Sequence, residues 1–112
     1  MLRFSLFSLL LLSFTSSTYT MAIPLHDALI NFARSDDVIT LIRYNHHLTN
    51  VRVDGGNLLH AAVTWDCHKT LVALCILHPL MRSQRNDNNL TPVELADSLN
   101  KNRSKTYFER CP

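Results

Sequence analysis

The chain has 112 residues, enough for one small domain, and its apolar fraction of 46% is ordinary for a globular protein. Its formal net charge of +2 is too small to indicate binding to nucleic acid. With only two glycines, it lacks a Gly-rich phosphate loop, and it has no Gly-x-Ser-x-Gly nucleophile motif. The sequence therefore favours a protein that is not an enzyme and needs no cofactor.

Residues 1–20 have the pattern of a secretory signal peptide: a basic start at Arg3, a leucine-rich centre and a Ser/Thr-rich end. The apolar stretch is shorter than the about 20 residues of a membrane-spanning helix, so no stable membrane anchor is expected. Small residues would allow cleavage before Tyr19 or before Ile23. Secretion is therefore predicted. The alternative is translation from Met21, which would give a cytoplasmic protein.

A first helical unit is predicted within residues 21–53. Pro24 suits the first turn of a helix, and residues 34–37 form a polar break with N-cap candidates. Apolar residues recur at helical spacing on both sides of this break. They are Leu25, Ala28, Leu29 and Phe32 before it, and Val38, Ile39, Leu41 and Ile42 after it.

A second unit is predicted over residues 54–87. It opens on Asp54-Gly55-Gly56, a hairpin-turn signal because these residues tolerate positive φ. We expect a helix to begin at Leu58, a break at residues 66–69, and a strongly apolar second helix over residues 71–77. Pro79 ends that helix.

A third unit is predicted over residues 88–112. Thr91 is a natural N-cap, Pro92 fits the first helical position, and Glu94 supplies an acidic first turn. Val93, Ala96 and Leu99 carry the apolar face. The pattern decays afterwards, which is typical of a terminal unit whose outer face is exposed to water.

A period of 34 residues relates the three units. His26 recurs as His60, and the next step reaches Glu94; Ala28 recurs as Ala62 and Ala96. A fixed period of 20–50 residues indicates a stacked repeat protein, in which neighbouring units bury each other's apolar faces.

The repeated residues resemble the ankyrin motif Gly-x-Thr-Pro-Leu-His-x-Ala. Residues 55–62 match it at Gly, Leu, His and Ala, with Asn57 and Leu58 in place of Thr and Pro. Residues 89–96 match at Thr, Pro and Ala, and residues 24–28 match at four of five positions. The resemblance covers roughly residues 22–108. It implies an all-α solenoid of about three helix-turn-helix repeats with short hairpin connections.

The resemblance also implies a structural role for His26 and His60, whose rings would bond neighbouring backbone. The chain departs from the family pattern at its helix ends. The glycines that usually follow both helices of a repeat are missing. We therefore expect longer polar connections, helix ends without the residue that adopts left-handed backbone most easily, and an irregular stack of marginal stability.

Partners of ankyrin-like stacks usually dock on the hairpin tips and on the exposed ends of the first helices. Trp65, the only tryptophan, falls in the middle of this surface, where an exposed Trp is a common interface hot spot. The alternative is that Trp65 packs against the next unit. The partner-binding residues implied by the resemblance are Asn31, Val53, Asp54, Gly56, Thr64, Trp65, Asp87, Asn88, Leu90, Ser98 and Leu99.

Three cysteines are an odd number, which argues against a closed disulfide framework. Cys67 and Cys75 could pair only if their Cα atoms lie within about 7 Å of each other, and Cys111 could crosslink the chain to a second copy. No Cys-x-x-Cys or His-x-x-x-His pair occurs, so no metal site is predicted. Asn89 and Asn102 stand in sequons and are glycosylation candidates in a secreted chain.

The sequence thus predicts a protein-protein interaction module that binds a partner through the concave face of a short repeat stack. One alternative is a truncated or diverged repeat fragment that acts as a subunit or decoy of a larger repeat protein. Another is a small secreted helical effector unrelated to ankyrin. The partner's identity is not indicated.

Overall fold

The structure, a computed structural model, describes residues 24–111. Within them six α-helices form three pairs: α1 (Leu25–Arg34) with α2 (Val38–Arg43), α3 (Leu58–Thr64) with α4 (His68–Leu77), and α5 (Pro92–Ser98) with α6 (Asn102–Arg110). Short 3-10 helices, Asn45–Asn50 and Pro79–Ser83, follow the first two pairs. Strands β1 (Arg52–Val53) and β2 (Gly56–Asn57) form an antiparallel hairpin between the first and second pairs.

About 68% of the described residues are helical and few lie in strands, so the predicted all-α class is confirmed. The predicted signal peptide lies outside the described residues, and secretion stays a prediction. Within residues 24–111, no helix is both long enough and apolar enough to cross a membrane.

The helix pairs contact one another in two layers. In the first layer α1 contacts α3 and α3 contacts α5; in the second, α2 contacts α4 and α4 contacts α6. The middle pair therefore has neighbours on both sides, and every residue of α3 from Leu58 to Val63 is buried. One apolar core runs through all three pairs, from Leu29 and Leu41 to Ala96 and Phe108.

Side-chain caps fix where the helices begin. Asn57 and Thr91 accept hydrogen bonds from the N–H groups of His60 and Glu94, whose side chains bond the cap N–H groups in return. These reciprocal capping boxes satisfy two otherwise unpaired donors at each helix start. Asn57 therefore caps α3 in the same way that Thr91, which matches the motif's threonine, caps α5. Asp37 caps α2 through the N–H and hydroxyl of Thr40.

The first helix of every pair ends in the same Schellman turn. Asp36, Asp66 and Asn100 adopt φ of 61°, 59° and 57°. In each turn the next N–H bonds a carbonyl five residues back, as in Asp37 to Phe32, Cys67 to Ala62, and Lys101 to Ala96. The expectation that these helix ends lack a left-handed residue is therefore wrong, because Asp and Asn can adopt this conformation.

The connection between α3 and α4 is shorter than the sequence predicts. His68 and Lys69, placed by the sequence in a break, are the first residues of α4. Only Trp65, Asp66 and Cys67 separate α3 from α4.

The turn of the first pair comes about one helical turn later than the 34-residue period indicates. α1 has 10 residues whereas α3 and α5 have seven, and α2 has six residues whereas α4 has 10. The buried residues of α1 are accordingly Leu29 and Ala33. Leu25, predicted on the apolar stripe, is 41% exposed, and Ala28 is only partly buried.

Asp36 links the first two pairs. Its Oδ1 accepts hydrogen bonds from the N–H and the hydroxyl of Thr70, both at 2.8 Å, and its Oδ2 accepts from the N–H of Lys69 at 3.4 Å. Within the described chain the N-cap residue of α4, Cys67, makes no side-chain capping bond. The start of α4 is therefore capped by a residue from the preceding pair.

Candidate functional site

The hairpin between the first two pairs turns at Asp54 and Gly55, with φ of 50° and 80°. Positive φ at both positions agrees with the predicted Asp-Gly turn. A Cβ on Gly55 would lie 2.4 Å from Oδ2 of Asp87, and the N–H of Asp87 donates to the Gly55 carbonyl at 3.0 Å. The hairpin is thereby held against the loop that precedes α5.

His60 joins the hairpin to that same loop. The ring is 3% exposed; Nδ1 accepts from the N–H of Asn57 at 3.1 Å, and Nε2 donates to the Leu90 carbonyl at 2.8 Å. The bond from Asn57 requires an unprotonated Nδ1, whereas the bond to Leu90 can be made by the neutral or the protonated ring. Burial lowers the pKa of His60, and the nearby positive charge of Arg52 acts in the same direction, whereas the bond to Leu90 opposes them.

His26 makes the corresponding contact in the first pair, where its Nε2 accepts from the N–H of Arg52 at 3.2 Å. Its ring is exposed. The two motif histidines therefore bond backbone of the following connection, in agreement with the structural role that the resemblance implies.

A groove of about 280 Å³ lies between the hairpin, α3, the loop before α5, and α5 itself. We call it the hairpin groove. It is lined by Val53, Asp54, Gly56, His60, Ala61, Thr64, Trp65, Asn86, Asn88, Leu95 and Leu99.

The hairpin groove brings together most of the residues implied as partner contacts. Seven of the 11 predicted positions line it: Val53, Asp54, Gly56, Thr64, Trp65, Asn88 and Leu99. Asn31 and Ser98 are exposed outside its lining. The other two serve the loop itself, since Asp87 packs on Gly55 and the Leu90 carbonyl accepts from His60.

Four lining residues were not predicted as contacts. His60 is the motif histidine, for which a structural role was predicted, and Ala61 stands at the variable position after it. The amide of Asn86 organises its own loop by accepting from the N–H groups of Asn88 and Leu90. Leu95 precedes Leu99 by four positions. Residues at this spacing share a helix face, so that signal was present in the sequence.

Trp65 is half-buried, so it is neither the fully exposed contact residue nor the fully packed residue that the two interpretations describe. Its ring packs against the apolar core, and the guanidinium of Arg34, in the preceding pair, lies 4.4 Å from the ring centroid. This distance is favourable for a cation–π contact. The prediction that Trp65 packs against the next unit misses Arg34, which comes from the unit before it. Trp65 also contributes to the hairpin groove.

A larger groove of about 570 Å³ lies on the second-helix layer, on the side that the sequence did not single out. We call it the helical groove. It is lined by Val38, Ile42, His68, Lys69, Val72, Ala73, Ile76, Leu77 and Tyr107.

Several apolar side chains in or near the helical groove are exposed. Only Leu41 of the predicted α2 stripe is buried, and Ile39 is 74% exposed. Ile76 is 62% exposed and Leu80 is 77% exposed. The sequence signal was the unbroken apolar run of α4, which a one-sided helix would not need.

The edge of the helical groove carries one unusual polar group. The ring of His68 stacks on Tyr107 with centroids 5.2 Å apart. Its Nε2 is buried and has no hydrogen-bond partner among the described residues, since Oδ1 of Asp66 lies 4.0 Å away.

The pairing of Cys67 with Cys75, which the sequence left open, does not form, and the crosslink of Cys111 to a second copy stays a prediction. Cys67 and Cys75 lie along one helix, eight residues apart, which is about 12 Å at 1.5 Å per residue. That exceeds the reach of a disulfide. The Cys67 thiol is buried and donates to the Arg34 carbonyl at 3.5 Å. Burial, with the nearby carboxylates of Asp36 and Asp66, raises its pKa.

Within residues 24–111, no group of three His, Cys, Asp or Glu side chains is arranged to hold a metal ion. The glycosylation candidates Asn89 and Asn102 are both exposed, and Asn89 adjoins Asn88 of the hairpin groove. Comparison of the chain with protein-family models, with curated proteins and with solved structures finds no match.

Proposed function

We propose that this chain is a non-enzymatic protein-interaction module, built as a short ankyrin-like repeat stack, that binds a partner protein through the hairpin groove. One observation carries the proposal. Seven positions chosen by resemblance from four separate stretches of sequence line a single groove.

The lining of the groove suits a peptide segment of a partner. Trp65, Leu95 and Leu99 offer apolar surface, and Leu99 is 43% exposed. Polar groups on the hairpin and loop, including Asp54 and Asn88, are exposed beside it. An apolar anchor with hydrogen-bonding groups around it is the usual composition of a binding hot spot. We propose that the partner inserts an apolar side chain near Trp65 and offers N–H donors to Asp54.

The repeated local structure supports the ankyrin-like part of the proposal. Each pair has the same Schellman turn, two pairs begin with a capping box, and both motif histidines bond the following connection. Recurrence of one supersecondary unit along the chain is the defining property of repeat proteins.

The test uses a displayed library of random peptides selected on the immobilised full chain. Thr64 and Thr106 give a matched pair of variants, because each is an exposed helical Thr whose hydroxyl donates to the carbonyl four residues earlier. Only Thr64 lines the hairpin groove. Selected peptides should lose at least about tenfold in affinity for Thr64→Arg and bind Thr106→Arg like the unsubstituted chain. Equal binding to both variants would contradict the proposal.

The helical groove favours a second candidate function, that of a subunit whose second-helix layer is covered by another copy or by a larger repeat protein. Contiguous exposed apolar surface commonly marks an interface. In sedimentation velocity, association that grows with concentration should disappear in Ile76→Lys, which is in the groove lining, and persist in Ile39→Lys, which is outside it. A chain that remains monomeric at all concentrations would contradict association between copies.

A further inference from the structure

Cys75 and Cys111 come from distant parts of the sequence. Cys75 is buried in α4, and Cys111 follows directly after α6. The two side chains meet where α6 packs against α4, and they are close enough for Cys111 to affect the titration of Cys75. Cys75 belongs to the apolar core, and Cys111 packs against that core. Neither pairing considered from the sequence joined these two residues.

Arg82 holds the segment that carries Cys111. Its guanidinium donates to the carbonyl oxygens of Phe108 and Cys111, both at 3.1 Å, and lies 5.4 Å from the Phe108 ring centroid. A cation bonded to the last carbonyls of a helix is favourable because these groups carry partial negative charge. The end of α6 is thereby fixed beside α4.

We propose that Cys75 and Cys111 form an intramolecular disulfide under oxidising conditions, which joins the end of α6 to α4 and leaves Cys67 as a buried thiol. The geometry required is modest. The two sulfurs, brought together by the packing of α6 against α4, must close to about 2.05 Å. Cys111 has extended backbone beyond the helix, with φ of −76° and ψ of 133°, so its side chain is not confined by a helical turn.

The oxidant is a low-molecular-weight disulfide such as glutathione disulfide. The thiolate of Cys111, the more accessible of the two, attacks one sulfur of the oxidant and releases one glutathione thiolate. Cys75 then loses its proton to solvent, attacks the Cys111 sulfur and releases the second glutathione. The protein loses two electrons and two protons, and the oxidant is reduced to two thiols.

The environment of Cys75 decides the order of these steps. Burial, together with the interaction that favours the protonated Cys75 thiol as a donor to Cys111, raises the pKa of Cys75 to about 12. At neutral pH its thiol is almost entirely protonated and is a poor first nucleophile. Cys111 therefore reacts first and Cys75 resolves the mixed disulfide.

The experiment starts from the reduced full chain, which is incubated with glutathione disulfide, unfolded, alkylated and weighed by mass spectrometry. We expect a monomer that takes up one alkyl group instead of three, with a crosslinked peptide joining Cys75 to Cys111. Cys67→Ser should close as readily as the unsubstituted chain. Cys111→Ser should take up two alkyl groups after the same treatment.

Three outcomes would overturn the proposal: three alkyl groups on the treated chain, a lasting glutathione adduct on Cys111, or a covalent dimer through Cys111. Folding is checked separately, because Cys75→Ser places a hydroxyl in the core. Cys111→Ser changes a partly exposed position and is the informative variant. The oxidised chain should also unfold at a higher temperature than the reduced chain, by about 15–30 °C, as expected for closing a loop of this length.

Discussion

The ring of His60 connects two backbone segments, because it bonds the start of its own helix and the loop of the next pair while it is buried between them. The resemblance predicted that this residue orders the stack. The sequence could not predict that the accepting carbonyl belongs to Leu90. That contact depends on how the loop folds around Asn86.

His60 should make folding stability fall on mild acidification. Burial lowers the pKa of the folded ring below the value of about 6.5 that the ring has in the unfolded chain. The unfolded ring therefore binds a proton more readily than the folded ring. The contribution of His60 to stability is complete above about pH 6.5 and is lost as the pH falls towards the folded pKa. The urea concentration at the unfolding midpoint should therefore decrease as the pH is lowered from about 7.5 to about 5.5.

A matched pair of variants tests whether His60 causes this pH dependence. His60→Gln should flatten it, and His26→Gln, which alters the exposed histidine of the same motif position, should preserve it. The pKa of Glu94 is lowered by the N–H of Thr91, and that group loses its contribution only at more acidic pH, below its ordinary value of about 4.3. An equally steep dependence in His60→Gln would contradict the assignment.

At the scale of elements, Asp36 ends one helix and begins another. It adopts left-handed backbone after α1 and accepts from the backbone at the start of α4. The sequence identified residues 34–37 as a polar break with caps, and Asp37 confirms this for α2. It could not indicate that Asp36 caps a helix 32 positions away, since only the packing of two pairs creates that contact.

Replacement of Asp36 by Gly should destabilise the chain by about 1 kcal/mol, the usual cost of losing a helix cap. Gly retains the left-handed turn, so the loss isolates the carboxylate. Asp66→Gly is the control, because Asp66 occupies the same turn position but forms an exposed ion pair with Lys101 at 2.9 Å. Such pairs contribute little. Chemical denaturation that gives equal losses for both variants would show that Asp36 is no cap.

The late turn of the first pair shows a limit of periodicity. Leu25, Ala28 and Leu29 all fit a helical stripe, and the 34-residue spacing selected Ala28 as the equivalent of Ala62. The structure buries Leu29, which belongs to the predicted stripe, and Ala33, which does not, and Ala28 is only partly buried. The contact of α1 with α3 decides between these neighbouring stripes, and no local pattern contains it.

At the scale of the whole molecule, the three pairs share one core. Its buried residues extend from Leu29 in the first pair through Leu74 in the second to Phe108 in the third. The sequence predicted that neighbouring units bury each other, and it named the hairpin side as the binding surface. It did not predict the helical groove, because apolar residues of α2 and α4 were assumed to face the core.

A shared core should make the chain unfold in one cooperative transition. The loss of helix in far-UV circular dichroism should coincide with the change in fluorescence of Trp65, the only tryptophan. Leu74→Ala, at the centre of the core, should lower the free energy of unfolding by about 2–5 kcal/mol, and both probes should report the same loss. Separate midpoints for the two probes would show that the pairs unfold independently.

The unequal lengths of α2 and α4 have a consequence for the surface they share. At 1.5 Å per residue, the six residues of α2 extend about 9 Å and the 10 residues of α4 about 15 Å. α2 is thus about 6 Å shorter than α4, slightly more than one helical turn, and Ile76 and Leu77 are exposed at the carboxyl end of α4. Four more residues of α-helix would make α2 as long as α4; the chain instead forms the 3-10 helix Asn45–Asn50, and Asn45 contacts the ring of His78 just beyond α4.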